Sequence, residues 1–256
     1  MHKQVSMQLY CARNFPPLES QLATLAGLGY TSVEPFSRLY GNVDALAADL
    51  ARHKLAAPSG HFSIDQLETD FSTAVANAKL LGMQLVIVPN LLAPLRPVDA
   101  AGWQHFGARL ALLRRKLAGK GLAFAWHNHD FEMQALRDGT APLDHILGAD
   151  AELKWQADIG WIIRAGGDPF ALLKKYGSQI AALHVKDISA PHYPVVEDGW
   201  ADVGHGTVDW AKVMAAAPKD ALLVIEHDNP ADFERFARRS LAGVLAWSMF
   251  SKGPRP

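Results

Sequence analysis

Carboxylates, imidazoles and a lysine collect where the short apolar runs of this 256-residue chain end. The run 32–35 contains Glu34, and the loop after 55–58 holds His61. The run 85–89 is followed by Asn90, and 122–127 opens into His127-Asn128-His129-Asp130-Phe131-Glu132. The run 153–158 ends on Asp158, 181–185 leads from His184 to Lys186 and Asp187, and 222–226 passes into Glu226-His227-Asp228. At the opposite ends stand Gln84, Gly121, Glu152 and Ala221, an ordinary set.

Glu132, Asp158, His184 and Glu226 suit one divalent metal ion. Three carboxylates and one imidazole make an oxygen-rich, hard donor set, which favours Mn²⁺ and admits Mg²⁺, Co²⁺ or Zn²⁺. Four ligands leave coordination positions for a substrate's vicinal oxygens. Each residue alone reads equally well as a salt-bridged rim; the four together read better as a centre. His127 and His129 are two apart, so on a strand they share a face. They read as further ligands or as acid/base groups, because imidazole titrates near neutrality, or as hydrogen-bonded core histidines. Lys186 shares the face of His184 and could stabilise an oxyanion, or pair with Asp158 or Asp187. Glu34, His61 and Asn90 are placed to bind substrate hydroxyls. Trp161 offers an apolar wall to a sugar face, or packs in the core.

These groups need a scaffold that brings strand ends together. The apolar runs 5–10, 32–35, 55–58, 85–89, 122–127, 153–158, 181–185 and 222–226 read as eight strands. Three-to-four periodicity predicts helices over 18–28, 43–53, 66–81, 100–120, 169–176, 208–217 and 231–247, with a short one over 142–147. Asp168 before Pro169 reads as a helix cap, and Gly29, Gly82, Gly119 and Gly121 as helix stops. Eight runs in 256 residues give 32 residues each, the size of one βα unit. We therefore expect an α/β fold: one (β/α)₈ TIM barrel over 1–256, with a frayed tail at 252–256; an open doubly wound sheet is the alternative. In such a barrel the loops after the strands build the active site. Two long connections, 89–97 and 187–206, read as covers for it or as contacts between copies.

Composition narrows the function. Hydrophobic residues make up 49% and charged residues 20%, enough for a core and against general disorder. The net charge of −1 argues against a broad nucleic-acid-binding face. Apolar runs fall far short of the ~18 residues of a spanning helix, and residues 1–8 lack the apolar stretch of a signal peptide. The chain reads as soluble and cytoplasmic. Cys11 is the single cysteine, so intrachain disulfides and Cys-based zinc sites are excluded. HExxH, P-loop and GxGxxG patterns are absent.

Several segments together resemble a known family. They are Gln8-Leu9-Tyr10, Gly29-Tyr30 with Val33-Glu34, Trp126 to Glu132, Asp158-Ile159-Gly160-Trp161 with Ala165 to Pro169, His184-Val185-Lys186-Asp187, Val203 to Trp210, and Ile225-Glu226-His227-Asp228. In this order, over nearly the whole chain, they resemble the sugar phosphate isomerase/epimerase group of xylose-isomerase-like TIM barrels. The resemblance implies a divalent-metal barrel acting on sugars or polyol-like keto compounds. It implies metal ligands in an acidic residue after strand five, Asp158, His184 and Glu226. In the ketose epimerases of this group the strand-five ligand is a glutamate inside the strand, which also moves protons. Here His127 stands at that place, and Glu132 lies five residues on. His205 stands where many relatives carry Glu in a Gly-Glu-Gly segment.

The expectation is a metal-dependent isomerase/epimerase working through an enediolate. In it Glu226 is ligand and base, His127 or His129 the partner acid/base, and Lys186 the oxyanion's support. A lyase or dehydratase of keto sugars or inosose-like compounds is the alternative, and a non-catalytic sugar-binding barrel the third. The expected partner is a small sugar, with no nucleic acid and no membrane; a homo-oligomer is compatible with the sequence.

Overall fold

A computed structural model describes residues 5–191 and 197–250. Eight strands form one parallel sheet: β1 (Val5–Gln8), β2 (Ser32–Glu34), β3 (Ser59–His61), β4 (Leu85–Val88), β5 (Ala123–His127), β6 (Lys154–Asp158), β7 (Ile180–Val185) and β10 (Leu222–Ile225). Their spatial order is β2-β1-β10-β7-β6-β5-β4-β3. The outer strands β2 and β3 meet through Val33 N–H to Ala56 O (2.9 Å), Ala56 N–H to Thr31 O (2.9 Å) and His61 N–H to Pro35 O (2.8 Å). The sheet thus curls into a nearly closed barrel with helices outside, the expected TIM barrel fold. Between β7 and β10 lies a two-stranded antiparallel ribbon, β8 (Asp187–Ile188) with β9 (Trp200–Ala201).

The helices are α1 (Leu18–Leu28), α2 (Val43–His53), α3 (Ile64–Thr69), α4 (Phe71–Leu80), α5 (Ala100–Ala118), α6 (Pro142–Gly148), α7 (Ile159–Arg164), α8 (Pro169–Tyr176), α9 (Trp210–Ala216) and α10 (Phe233–Phe250). The apolar stripes of these helices and the outward side chains of the strands form the main core, which includes Leu22, Trp103, Phe106, Trp126, Trp155 and Phe236. Strand parity sends alternate residues inward. Leu85, Ile87, Ala125 and Ala182 make a separate small apolar cluster. Polar groups of the same parity, Gln8, Glu34, His61, His127, Gln156, Asp158 and His184, are buried towards the C-terminal ends.

Three expectations need correction. The strand expected at 55–58 lies at Ser59–His61, because the ladder to β4 begins at Ser59 opposite Leu85. Ser-Gly-His carries no apolar run to betray it, and Gly60 is there because a Cβ would meet Met83 and Tyr40 within 2.6 Å. The helix expected over 66–81 is two, because Asp70 ends α3 with its N–H on Gln66 O (2.9 Å) and caps α4 through its carboxylate to Thr73 N (3.4 Å). Helix α7, which starts directly from β6, was not expected. The tip of the second long connection, with His192, Tyr193 and Pro194, lies outside the described residues, as does the expected frayed tail. Among the described residues no helix is long and apolar enough to cross a membrane.

Candidate metal centre and active site

Four strand ends converge on one point. His127, Asp158, His184 and Glu226 each place a ligand atom within 4.8 Å of the others, and all four are buried. His184 Nδ1 lies 2.9 Å from Glu226 Oε2 and 3.7 Å from Asp158 Oδ2, and His127 Nε2 lies 4.0 Å from that same Asp158 oxygen. Asp158 is the N-cap of α7. Its Oδ1 accepts from Trp161 N at 2.8 Å, while Oδ2 is buried with no hydrogen-bond partner among the described residues. An orphaned carboxylate oxygen facing two imidazoles and a second carboxylate fits a divalent cation. Asn128 fixes the position of this ligand, with Oδ1 accepting from Asp158 N (3.0 Å) and Trp155 Nε1 (3.0 Å). His61, His127 and His184 also approach one another. That second group is already served by Gln156 Oε1, 2.7 Å from His61 Nε2 and 3.1 Å from His127 Nδ1, and by Glu34.

Glu132, expected as a ligand, is not in the group. Its two oxygens accept from Trp126 Nε1 (3.0 Å) and from His129 N (2.9 Å), so it pins the turn after β5. His127 takes the position the sequence reading gave to Glu132. The group that could hold an ion is two imidazoles and two carboxylates, where three carboxylates and one imidazole were expected. Burial pushes the Glu132 carboxyl up to about 8, against the pull of its two N–H donors. Between the ordinary value of 4.5 and about 8 the folded chain keeps a proton that the unfolded chain has released. Metal-free stability therefore falls as pH rises through that window. Glu132→Gln is neutral throughout and should flatten this fall in melts compared at pH 5 and pH 8. Equal pH slopes in both proteins would refute the burial argument.

Lys186 is fully buried beside Glu226. Its Nζ lies 2.7 Å from Asp228 Oδ2 and 3.3 Å from Glu226 Oε2, under the rings of Trp161 (4.8 Å) and Trp200 (4.3 Å). Neither expected partner forms this pair. Asp187 is instead bound by Gly204 N (2.9 Å) and Trp210 Nε1 (3.0 Å), which fold the loop after β9. Burial disfavours charge on Lys186, but Asp228, Glu226 and Asp158 overcome it and raise its pKa, so the ammonium is permanent. Burial likewise opposes charge on Glu226, and Lys186 and His184 hold it well below the usual carboxylate range. His184 is held well above the usual histidine range against burial, first by Glu226. Burial, with His184 and His129 nearby, keeps His127 well below it. Burial and then Lys186 lower His129 to about 3. At neutral pH His129 is therefore an uncharged imidazole, with one N–H to donate and one nitrogen to accept.

A cavity of about 380 Å³ opens above this centre, lined by Tyr10, Arg13, Phe36, Ser37, His61, Pro89, Asn90, His127, His129, Trp161, Glu226 and Asp228. His61, Asn90, His129 and Trp161 reach it. His129 Nδ1 and Trp161 Nε1 are buried without hydrogen-bond partners among the described residues. Glu34 does not reach it, which corrects its expected contact with substrate; it lies below, fully buried. Asn90 is braced by Arg96, whose Nη2 is 3.4 Å from Asn90 Oδ1 and whose guanidinium lies 3.6 Å over Phe131. The sequence reading missed Gln8 and Gln156 inside the barrel, and Tyr10, Arg13 and Phe36 at its mouth. Gln156 was accessible by parity, two residues before Asp158.

The rhizopine catabolism protein MocC of Rhizobium meliloti is 22% identical over 170 residues, covering 58% of this chain and 51% of that protein. The chain thus spans about half the length of the curated relative it matches. A sugar phosphate isomerase/epimerase from Parabacteroides distasonis superposes with a TM-score of 0.77 at 15% identity, covering 94% of this chain and 93% of that one. The IolI protein, solved with a zinc atom, superposes with a TM-score of 0.76 at 13% identity, covering 98% and 99%. The family model for the xylose isomerase-like TIM barrel matches residues 22–243. The chain belongs to the xylose isomerase-like TIM barrel family.

Proposed function

We propose that this protein is a metal-dependent enzyme that removes the proton next to a carbonyl in a small keto or aldo sugar. The observation that carries the reading is the convergence of His127, Asp158, His184 and Glu226 beneath the cavity, with the Lys186 ammonium beside Glu226. A divalent ion held by His127, Asp158, His184 and Glu226 would supply Lewis acidity for acidifying the C–H next to a carbonyl. Mn²⁺ is the ion first expected. The second imidazole in the donor set brings Zn²⁺ and Co²⁺ level with it and disfavours Mg²⁺.

The chain's own residues do the rest. Glu226 or Asp228 receives the proton, Lys186 balances charge on the enediolate oxygen, and His61, Asn90 and His129 hold hydroxyls. Trp161, Tyr10 and Phe36 wall the sugar and exclude water. Both carboxylates that reach the cavity come from the end of β10. Proton chemistry from one side suits 1,2-isomerisation by same-face transfer better than epimerisation, which needs a second group on the opposite face. The same placement favours a second reading, syn elimination of a β-hydroxyl from the same enediolate. The partner is a small molecule rather than nucleic acid, and the location cytoplasmic.

The test is proton NMR of the Zn²⁺-loaded protein with pooled keto sugars and inosose in D₂O; Mn²⁺ and Co²⁺ samples are quenched with chelator. Deuterium should enter next to the carbonyl, and Glu226→Gln should abolish it. An isomeric sugar supports the first reading and a dehydrated ketone the second. Absence of exchange with every compound under every ion would sink both.

A further inference from the structure

Glu34 ends β2, yet its carboxylate does not reach the cavity. It accepts hydrogen bonds from residues of four other strands: Gln8 Nε2 at 2.7 Å, Gln156 Nε2 at 2.8 Å, the Ser59 hydroxyl and His184 Nε2 at 2.8 Å, and His61 Nε2 lies 3.0 Å away. A carboxylate held this way only accepts, so the His184 nitrogen turned towards it carries the hydrogen. Both ring nitrogens of His184 face carboxylates, but Nδ1 is the one that faces Asp158 Oδ2 and Glu226 Oε2, so a bound ion would take the place of the Nδ1 hydrogen while Glu34 keeps the one on Nε2. The same carboxylate acts on the other imidazole one step away. Because Gln156 donates its amide N–H to Glu34, its Oε1 is turned to His127 Nδ1 at 3.1 Å. His127 Nδ1 then carries the hydrogen, and Nε2 faces the centre.

We infer that Glu34 is the positioning residue of the metal centre: one buried carboxylate that sets the tautomer of both histidine ligands, His184 directly and His127 through Gln156. This rests on the metal reading above. Partners outside the ligand set fix ring orientation and ligand basicity. Glu34 also returns to the centre the third negative charge that Glu132 does not bring.

The experiment is a chelator-competition titration of Zn²⁺ and Co²⁺ into the wild type, Glu34→Gln and Ser59→Ala, with visible spectra of the Co²⁺ forms. Glu34→Gln should weaken binding by about 10–100-fold and shift the Co²⁺ bands. Ser59→Ala, which takes one hydrogen bond from Glu34 but spares the His184 contact, should bind close to wild type. Long-range ¹H–¹⁵N NMR of the Zn²⁺-loaded wild type decides the matter even if Glu34→Gln does not fold. His184 should be protonated at Nε2 and His127 at Nδ1. The opposite tautomer at either ring, or a folded Glu34→Gln with unchanged affinity and spectrum, overturns the inference while the metal reading stands. A wild type that binds neither ion overturns both.

Discussion

Asp158→Asn should abolish ion binding at the proposed metal centre while leaving the fold intact. The variant keeps an oxygen for the cap on Trp161 N, and Asn caps helices as well as Asp does. What it loses is the orphaned Oδ2, replaced by an NH₂ group aimed at the other ligands. Stoichiometric binding of Zn²⁺, Co²⁺ or Mn²⁺ should weaken by more than about 100-fold, beyond the effect of an outer partner. Burial raises Asp158 to about 6, with Lys186 and His184 working against it, so between 3.8 and about 6 the metal-free fold loses stability as pH rises. Removing the charge costs the metal-free protein nothing at neutral pH. Calorimetric titration and melts with and without ion read both halves. The wild type should gain about 2.7 kcal/mol at an ion concentration of 100 Kd and the variant almost none. Unaltered stoichiometric metal in both Asp158→Asn and Glu226→Gln would end the assignment.

Lys186→Met should have the opposite signature, keeping the ion and losing stability and turnover. Glu226 and Asp228 would face each other without the cation that now touches both. Breaking a buried pair in this way costs about 3–5 kcal/mol. The Lys186 pKa is raised, so the ammonium stays charged at neutral and acid pH, and the loss should be undiminished at pH 7, where its partner carboxylates are ionised. It should narrow as the medium is acidified and the two carboxylates take up protons. Loss of the oxyanion's counter-charge should lower kcat by about 10²–10³. Denaturant titration at pH 5 and 7, with metal content measured on the same samples, separates this from ligand loss. A variant as stable as the wild type would show that the ammonium is not what holds the carboxylates together.

Much of the barrel can be read from the chain. Helices α1, α2 and α8 fall at the expected bounds because periodicity agrees with the stop at Gly29, whose φ is 98°, and with the Asp168–Pro169 start. β3 was misplaced because its outward position is a glycine and its inward ones are polar, so hydrophobicity could not mark it. That Asp158, His184 and Glu226 come together, with Lys186 beside Glu226, was legible because each ends or follows an apolar run. Glu132 misled because residue type was read without the turn that carries it away; only the backbone shows that its oxygens face Trp126 and His129. Glu34 misled in depth, not direction: it points inward, but a layer below the cavity. Gln156 was overlooked because an amide does no chemistry by itself. Its importance comes from orienting a group that does.

The closure between β2 and β3 has a consequence for descent. Few backbone bonds cross there, and on the inner side the two strands are joined by Glu34 to Ser59 and His61. Besides those backbone bonds, the wall is held by a carboxylate that also touches His184. A descendant that gave up its chemistry and let these residues drift would loosen its architecture in the same step. To survive as a silent scaffold it would have to replace the Glu34 cluster with apolar packing or a longer ladder. Decay of the site and decay of the barrel are here one hazard, and the same substitutions are exposed to selection twice.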